Sequence, residues 1–277
     1  MTKKILLLPG DGIGTEIVAA AETVLEKCIL DYKLDIDVET DVIGGASIEK
    51  HGNPLADSVL EKAKQADAIL LGAVGGKPEW DILPLNKRPE KGLLDLRSSL
   101  GLFSNLRPIK LFNDLSDSSS IKNSVIKDLD ILIVRELIGG IYFGEPRGEK
   151  ILENGEKCAF NTEIYSEGEI ESIAHMAFNI AMVRNKKVCS VDKANVLESS
   201  VLWRKTFIKV SADYPEVNLS HMYIDNAVMQ LIANPRQFDV ISSGNLFGDI
   251  LSDAAAQLVG SIGMLPSASL NETGAGM

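Results

Sequence analysis

Short apolar runs alternate with longer amphipathic stretches along the chain, and that alternation limits the fold more than any single motif. Residues 5–8, Ala68–Ala73, 131–134, 188–191 and 240–242 are rich in Ile, Leu and Val over strand length, the pattern of strands buried on both faces. Residues 16–33, 55–65, 168–184, 199–213 and 226–233 carry helical spacing instead. In 168–184, Ile170, Ile173, Ala177, Ile180 and Ala181 fall on one face. Such alternation predicts an α/β fold with a largely parallel sheet. One stretch breaks it: residues 139–165, opening Gly139-Gly140-Ile141-Tyr142-Phe143-Gly144-Glu145-Pro146-Arg147-Gly148, read as an extended arm. Two strands alone are marginal in water, so the arm is expected to pair with something else, such as another subunit.

The 277 residues, 45% apolar and 24% charged, suffice for a real core without disulfide or metal staples, in one large domain or two modest ones. A net charge of −11 lacks the basic footprint that phosphate-rich partners require, which argues against nucleic acid. Cys28, Cys158 and Cys189 are far apart and odd in number, as in a reducing compartment. No apolar run approaches the roughly 18 residues of a membrane span, and residues 5–8 are too short for a signal-peptide core. The expectation is a cytoplasmic protein that does not enter a membrane.

Four constellations could carry chemistry. Pro9-Gly10-Asp11-Gly12-Ile13-Gly14-Thr15-Glu16 joins a strand to a helix and reads equally as a plain turn or a ligand loop. Thr15 stands where the dinucleotide fingerprint needs Gly or Ala. Asp249 and Asp253, at i and i+4 among Leu246, Phe247, Ile250 and Leu251, share a helix face roughly 5–6 Å apart. They read equally as an acidic surface pair or as two ligands for Mg2+ or Mn2+. Of only eight arginines, Arg97, Arg107 and Arg135 lie near strand ends, where guanidiniums could bind a small anionic substrate or merely offset the abundant acids. Lys193, just past the strand 188–191, is a solvated loop lysine or a general base.

Read together, these segments resemble the 3-isopropylmalate dehydrogenases, relatives of isocitrate dehydrogenase. The resemblance rests on Leu8 to Gly14 (LPGDGIG), Gly72 to Gly76 (GAVGG), Arg88 to Leu94 (RPEKGLL) and Leu102 to Pro108 (LFSNLRP). It continues through Val134 to Gly148 (VRELIGGIYFGEPRG), Asp192 to Glu198 (DKANVLE), Met222 to Asn226 (MYIDN) and Gly244 to Asp253 (GNLFGDILSD), and so spans the whole chain. It implies a two-lobed fold with a mixed, largely parallel sheet and a dimerisation arm. One lobe is residues 1–100 plus 254–277, on the nucleotide side; the other is 101–253, with the arm at about 139–165.

The implied reaction is NAD-dependent oxidative decarboxylation of (2R,3S)-3-isopropylmalate to 4-methyl-2-oxopentanoate and CO2 in leucine biosynthesis. By the same resemblance Asp225, Asp249 and Asp253 hold Mg2+ or Mn2+, and Asp225 also faces substrate. Arg97, Arg107 and Arg135 clamp the malate carboxylates; Lys193 accepts the hydroxyl proton and Tyr142 returns one to the enol carbon. Ile13, Gly75, Gly76, Glu90 and Asn195 line the cofactor. Lys193 and Asp225 reach the site from the second subunit of a homodimer. Leu93 and Leu94 offer an apolar wall that suits an isopropyl group and would leave a carboxylate unpaired.

Two features depart from the family. Ile138 stands where Thr is usual, and the sequence stops at Met277, where the family continues into a loop that cradles the adenosine half of NAD. The expectation is a C-terminally truncated member with a weakened NAD site and little dehydrogenase activity, in which malate and metal still bind. The alternatives are a non-catalytic relative that dimerises without turnover and a dehydrogenase of a related malate such as tartrate. A Mg2+-dependent hydrolase is disfavoured, because no nucleophile constellation is visible.

Overall fold

Alternation along one strand shows how the larger unit is built. In the strand Asp130–Glu136, Ile131 and Ile133 enter one apolar cluster while Leu132 and Val134 enter another on the opposite face. A strand apolar on both sides needs helices on both sides, and that is the arrangement found.

The computed structural model describes residues 2–260, 263 and 265–277; residues 1, 261, 262 and 264 lie outside it. The chain divides into two units, Met1–Leu102 with Leu270–Met277, and Phe103–Ser269. In chain order the elements are β1 (Lys3–Gly10), α1 (Ile13–Tyr32), β2 (Ile36–Thr40), α2 (Gly45–His51), α3 (Asp57–Gln65), β3 (Ala68–Ala73), α4 (Pro78–Asp81), α5 (Pro89–Ser99), β4 (Ser104–Lys110), α6 (Asn123–Ile126) and β5 (Asp130–Glu136). They continue with β6 (Gly148–Ile151), β7 (Lys157–Phe160), α7 (Glu167–Met182), β8 (Lys187–Asp192), α8 (Glu198–Ser211), β9 (Asn218–Tyr223), α9 (Ile224–Ala233), β10 (Val240–Ser243), α10 (Asn245–Leu258) and β11 (Ala268–Leu270).

The first unit has a three-stranded parallel sheet, β2-β1-β3, whose core is formed by Leu6, Leu8, Ile43, Val59, Ile69 and Leu96. The chain returns here near its last residues: Ala68 of β3 bridges Gly276, with the Ile69 amide donating to the Gly276 carbonyl at 3.1 Å.

The second unit has a six-stranded mixed sheet, β11-β4-β5-β10-β8-β9, in which β5, β10, β8 and β9 are parallel and β4 runs against β5. Helices α9 and α10 cover one face, α7 and α8 the other. Ile170, Ile173, Ala177 and Ala181 of α7 are buried together as their spacing required, and a Ser166–Glu169 capping box starts that helix. Residues 254–269 group with this unit rather than with the first lobe. The reason is continuity: α10 runs unbroken to Leu258, burying Leu251, Ala255 and Leu258 in one cluster, and β11 pairs with β4. Among the described residues the strands β6 and β7 pair only with each other, in an antiparallel hairpin that is largely exposed. Among the described residues no helix is long and apolar enough to cross a membrane.

Candidate active site

Parallel strands deliver their C-terminal ends to one edge of a sheet, and in open α/β sheets that edge is where ligands bind. In the second unit Arg135, next to last in β5, pairs with Ser243 at the end of β10; Ser243 pairs with Val191, and one residue on Asp192 ends β8 opposite Tyr223 at the end of β9. The edge carries two groups of polar side chains.

The first group forms where β4, β5 and α10 meet. Arg135 is 3% exposed and forms an ion pair with Asp249 through Nη1. Its other side is taken by Asn245, whose Oδ1 accepts from Nε at 3.1 Å and from Nη2 at 2.8 Å. The Tyr142 hydroxyl donates to Asp249 Oδ2 at 2.8 Å, and the Arg135 guanidinium lies 5.7 Å from the Tyr142 ring centroid. Burial first, and then the Asp249 hydrogen bond, push the Tyr142 phenol above its ordinary pKa, so it stays protonated at neutral pH. One turn along α10, Asp253 accepts from Arg107 Nη1 at 3.4 Å, and Arg107 Nε rests on Asn105 Oδ1. Asp249 and Asp253 are therefore each met by an arginine from a neighbouring strand.

The second group lies two and three strands away from β5, on β8 and β9, roughly 10 Å or more across the sheet at its usual strand spacing. Lys193 Nζ donates to Asp225 Oδ1 at 2.6 Å, and this bond holds the Asp225 carboxyl below its ordinary pKa. The backbone beneath is well fixed. Asp192, 1% exposed, takes two hydrogen bonds from Arg204 and one from the Ala194 amide, and the Lys193 amide donates to Ser200 Oγ. Asn195 is exposed in the turn before α8. Asp225 thus pairs with Lys193, and among the described residues no three His, Cys, Asp or Glu side chains gather as a metal site.

The remaining candidates lie in the first unit. Ile13, 59% exposed, opens α1. Gly12 before it, and Gly75 and Gly76 after β3, take positive φ, which glycine alone adopts freely; a Cβ on Gly76 would meet nothing, whereas one on Gly75 would strike the Glu90 carboxylate. Asp11, to which the sequence assigned no role, organises this surface. Its carboxylate accepts from the Gly45, Ala46 and Gly75 amides, each at 2.8 Å, and so ties three loops together. Leu93 and Leu94 are half-buried on α5, and Arg97 lies in the last turn of that helix.

Residues 4–277 match the model of the isocitrate/isopropylmalate dehydrogenase family. The chain belongs to that family. It is 61% identical over its full length to the 3-isopropylmalate dehydrogenases of Saccharophagus degradans and of Pseudomonas syringae pv. syringae, covering 77% of each. The crystal structure of isocitrate dehydrogenase from Methylococcus capsulatus superposes with a TM-score of 0.83 at 31% identity, over 99% of this chain and 76% of that one. The apo crystal structure of a beta-decarboxylating dehydrogenase from Thermococcus kodakarensis gives 0.74 at 31% identity, over 98% and 72%. Use of NAD and of Mg2+ or Mn2+ is general in the isocitrate/isopropylmalate dehydrogenase family, whose members are decarboxylating dehydrogenases.

Proposed function

We propose that the protein oxidises and decarboxylates (2R,3S)-3-isopropylmalate, with NAD and Mg2+ or Mn2+, to 4-methyl-2-oxopentanoate and CO2 in leucine biosynthesis. It acts as a cytoplasmic homodimer whose active sites combine residues of both subunits. The observation that carries this reading is the Arg107–Arg135–Tyr142–Asp249–Asp253 group at the strand ends, which joins anion-binding, acidic and proton-donating side chains in one cluster.

Asp249 and Asp253 fit a hard divalent cation, because both present carboxylate oxygens from one helix face and each oxygen keeps lone pairs beyond its present hydrogen bond. One chain offers two such ligands, and Asp225 of a second copy is the third. The positive-φ glycines and Glu90 fit the approach of a dinucleotide to the backbone, with Ile13 and Asn195 completing its contacts. When bound, the cation supplies Lewis-acid polarisation and the nicotinamide supplies the hydride acceptor.

The chain's own residues do the rest. Arg97, Arg107 and Arg135 bind the two malate carboxylates, for which planar guanidiniums are suited. Leu93 and Leu94 give an apolar wall to the isopropyl group, worth a few kcal/mol relative to a buried unpaired carboxylate. Lys193 takes the hydroxyl proton. Tyr142, held protonated, donates to the enol carbon after CO2 leaves. The β6–β7 hairpin, with no strand neighbour of its own, is the surface through which two copies join.

The test is NADH formation by the purified protein from 3-isopropylmalate, isocitrate and tartrate, each with and without Mg2+. Metal-dependent turnover with 3-isopropylmalate alone is expected. A preference for either other acid overturns the substrate assignment. Asp249→Asn and Asp253→Asn should each weaken Mn2+ binding without unfolding the chain, and unchanged affinity in both would remove the metal assignment.

A further inference from the structure

Asn245 is the first residue of α10 and is 1% exposed. Three of its polar groups make four hydrogen bonds in one place. Oδ1 accepts from Arg135 Nε at 3.1 Å and from Nη2 at 2.8 Å; Nδ2 donates to the Gly139 carbonyl at 3.1 Å; its amide donates to the Tyr165 hydroxyl at 2.8 Å. Around that phenol the glycines 139, 140 and 244 leave no room for a Cβ, and Tyr165 is hydrogen-bonded in turn to Glu136, which caps the Ile138 and Gly139 amides. Asn245 itself adds no charge, so it fixes one edge of the Arg135 guanidinium without neutralising it. The other edge is left to Asp249 and whatever else binds there. Through Gly139 the same amide holds the turn Gly140–Tyr142 that carries the proton donor.

We infer that Asn245 is a positioning residue for catalysis: its carboxamide fixes the Arg135 guanidinium and the Tyr142 turn relative to one another. The inference rests on the reading of Arg135 as a substrate-carboxylate ligand. Removing the carboxamide leaves a buried guanidinium with two unsatisfied donors, free to rotate about its last torsions. A buried neutral acceptor in that place orients a cation without quenching it, which a carboxylate would not do.

The test has two arms. In the first, the Arg135 Nε–H resonance is identified by its loss in Arg135→Lys, and its exchange with solvent is followed by NMR in the absence of substrate. Asn245→Ala is expected to speed that exchange at least tenfold, and Asn245→Asp, which keeps the acceptor, to leave the resonance protected. In the second, the Kd of 3-isopropylmalate with Mn2+ is measured by calorimetry. Asn245→Ala should weaken binding about tenfold in the wild-type background and less than twofold in Arg135→Lys, a non-additivity that general loosening of the fold would not produce. An Asn245→Ala protein that keeps the Nε–H protected, or that loses equal affinity in both backgrounds, overturns the inference. Failure of the wild type to bind 3-isopropylmalate, with the exchange results as expected, overturns the substrate reading and leaves the positioning of Arg135 standing.

Discussion

The two polar groups at the strand ends are ordered by different means. Arg135 is enclosed, and its bonds to Asn245 and Asp249 run through α10 and the turn before Tyr142. Lys193 and Asp225 have a fixed backbone beneath them, yet their side chains meet in a single ion pair with Asp225 largely exposed. On the proposed reading, the half that binds substrate is preorganised by its own chain, whereas the half that takes the proton has its anchor but not its surroundings. A facing surface from a second copy would supply them, which is how a composite site differs from one finished within a single fold.

Mixing subunits would break this comparison most visibly. Lys193→Met and Arg135→Lys homodimers should each lose activity by about 10²–10⁴-fold, the usual contribution of a positioned acid–base group or clamp. Heterodimers of the two should recover part of it, since one composite site inherits both lesions and the other neither. No recovery in verified heterodimers would mean that each site is made by one chain.

Stability gives the next contrast. Arg135→Ala removes a buried guanidinium and leaves Asn245 Oδ1 without its donors, and should cost about 1–3 kcal/mol in urea unfolding, whereas Lys193→Met should leave the midpoint in place. Equal effects would erase the distinction between the enclosed and open halves.

The pH profiles should differ in sign. Burial pushes Glu136 up to about 7 from 4.5. Its native form holds the proton more tightly than the unfolded chain does, so its contribution favours the fold below about pH 4.5 and is lost as pH rises through 7. Asp225, lowered by Lys193, contributes above its ordinary pKa of 3.8 and loses that contribution on acidification. Melting temperatures from pH 4 to 8 should therefore fall less steeply with rising pH in Glu136→Gln than in the wild type, while Asp225→Asn should change the profile only at the acid end. The smallest change is expected for Ile138→Thr: the Ile138 amide, not its side chain, bonds Glu136, and restoring the family's hydroxyl should shift stability by less than about 1 kcal/mol.

The regular elements were legible where apolar period and length agreed, as in β3, α7 and β8. The strands β4 and β9 were not: SNLRPIK and NLSHMY mix polar residues into their runs because one starts at the edge of the proposed site and the other forms the border of the sheet. At the site, motif strings named Arg135, Tyr142, Asp249 and Asp253, but not what joins them. Asn245 stood inside a quoted motif without a role, since nothing in sequence says that a helix starting after β10 aims its first side chain at the end of β5. Asp11 was hidden likewise, as three loops distant in sequence meet only in the folded unit.

The bridge between Ala68 and Gly276 has a consequence for how the protein is made. Translation runs from the N-terminus, so β1, β2 and β3 emerge before Phe103–Ser269 exists, while the backbone that closes the open side of β3 emerges after it. At 5–20 residues per second the nascent first unit waits about 10–40 s with an unpaired edge, a period in which edge strands recruit wrong partners. The second unit, later in sequence, is the first to have all its own contacts available on the ribosome.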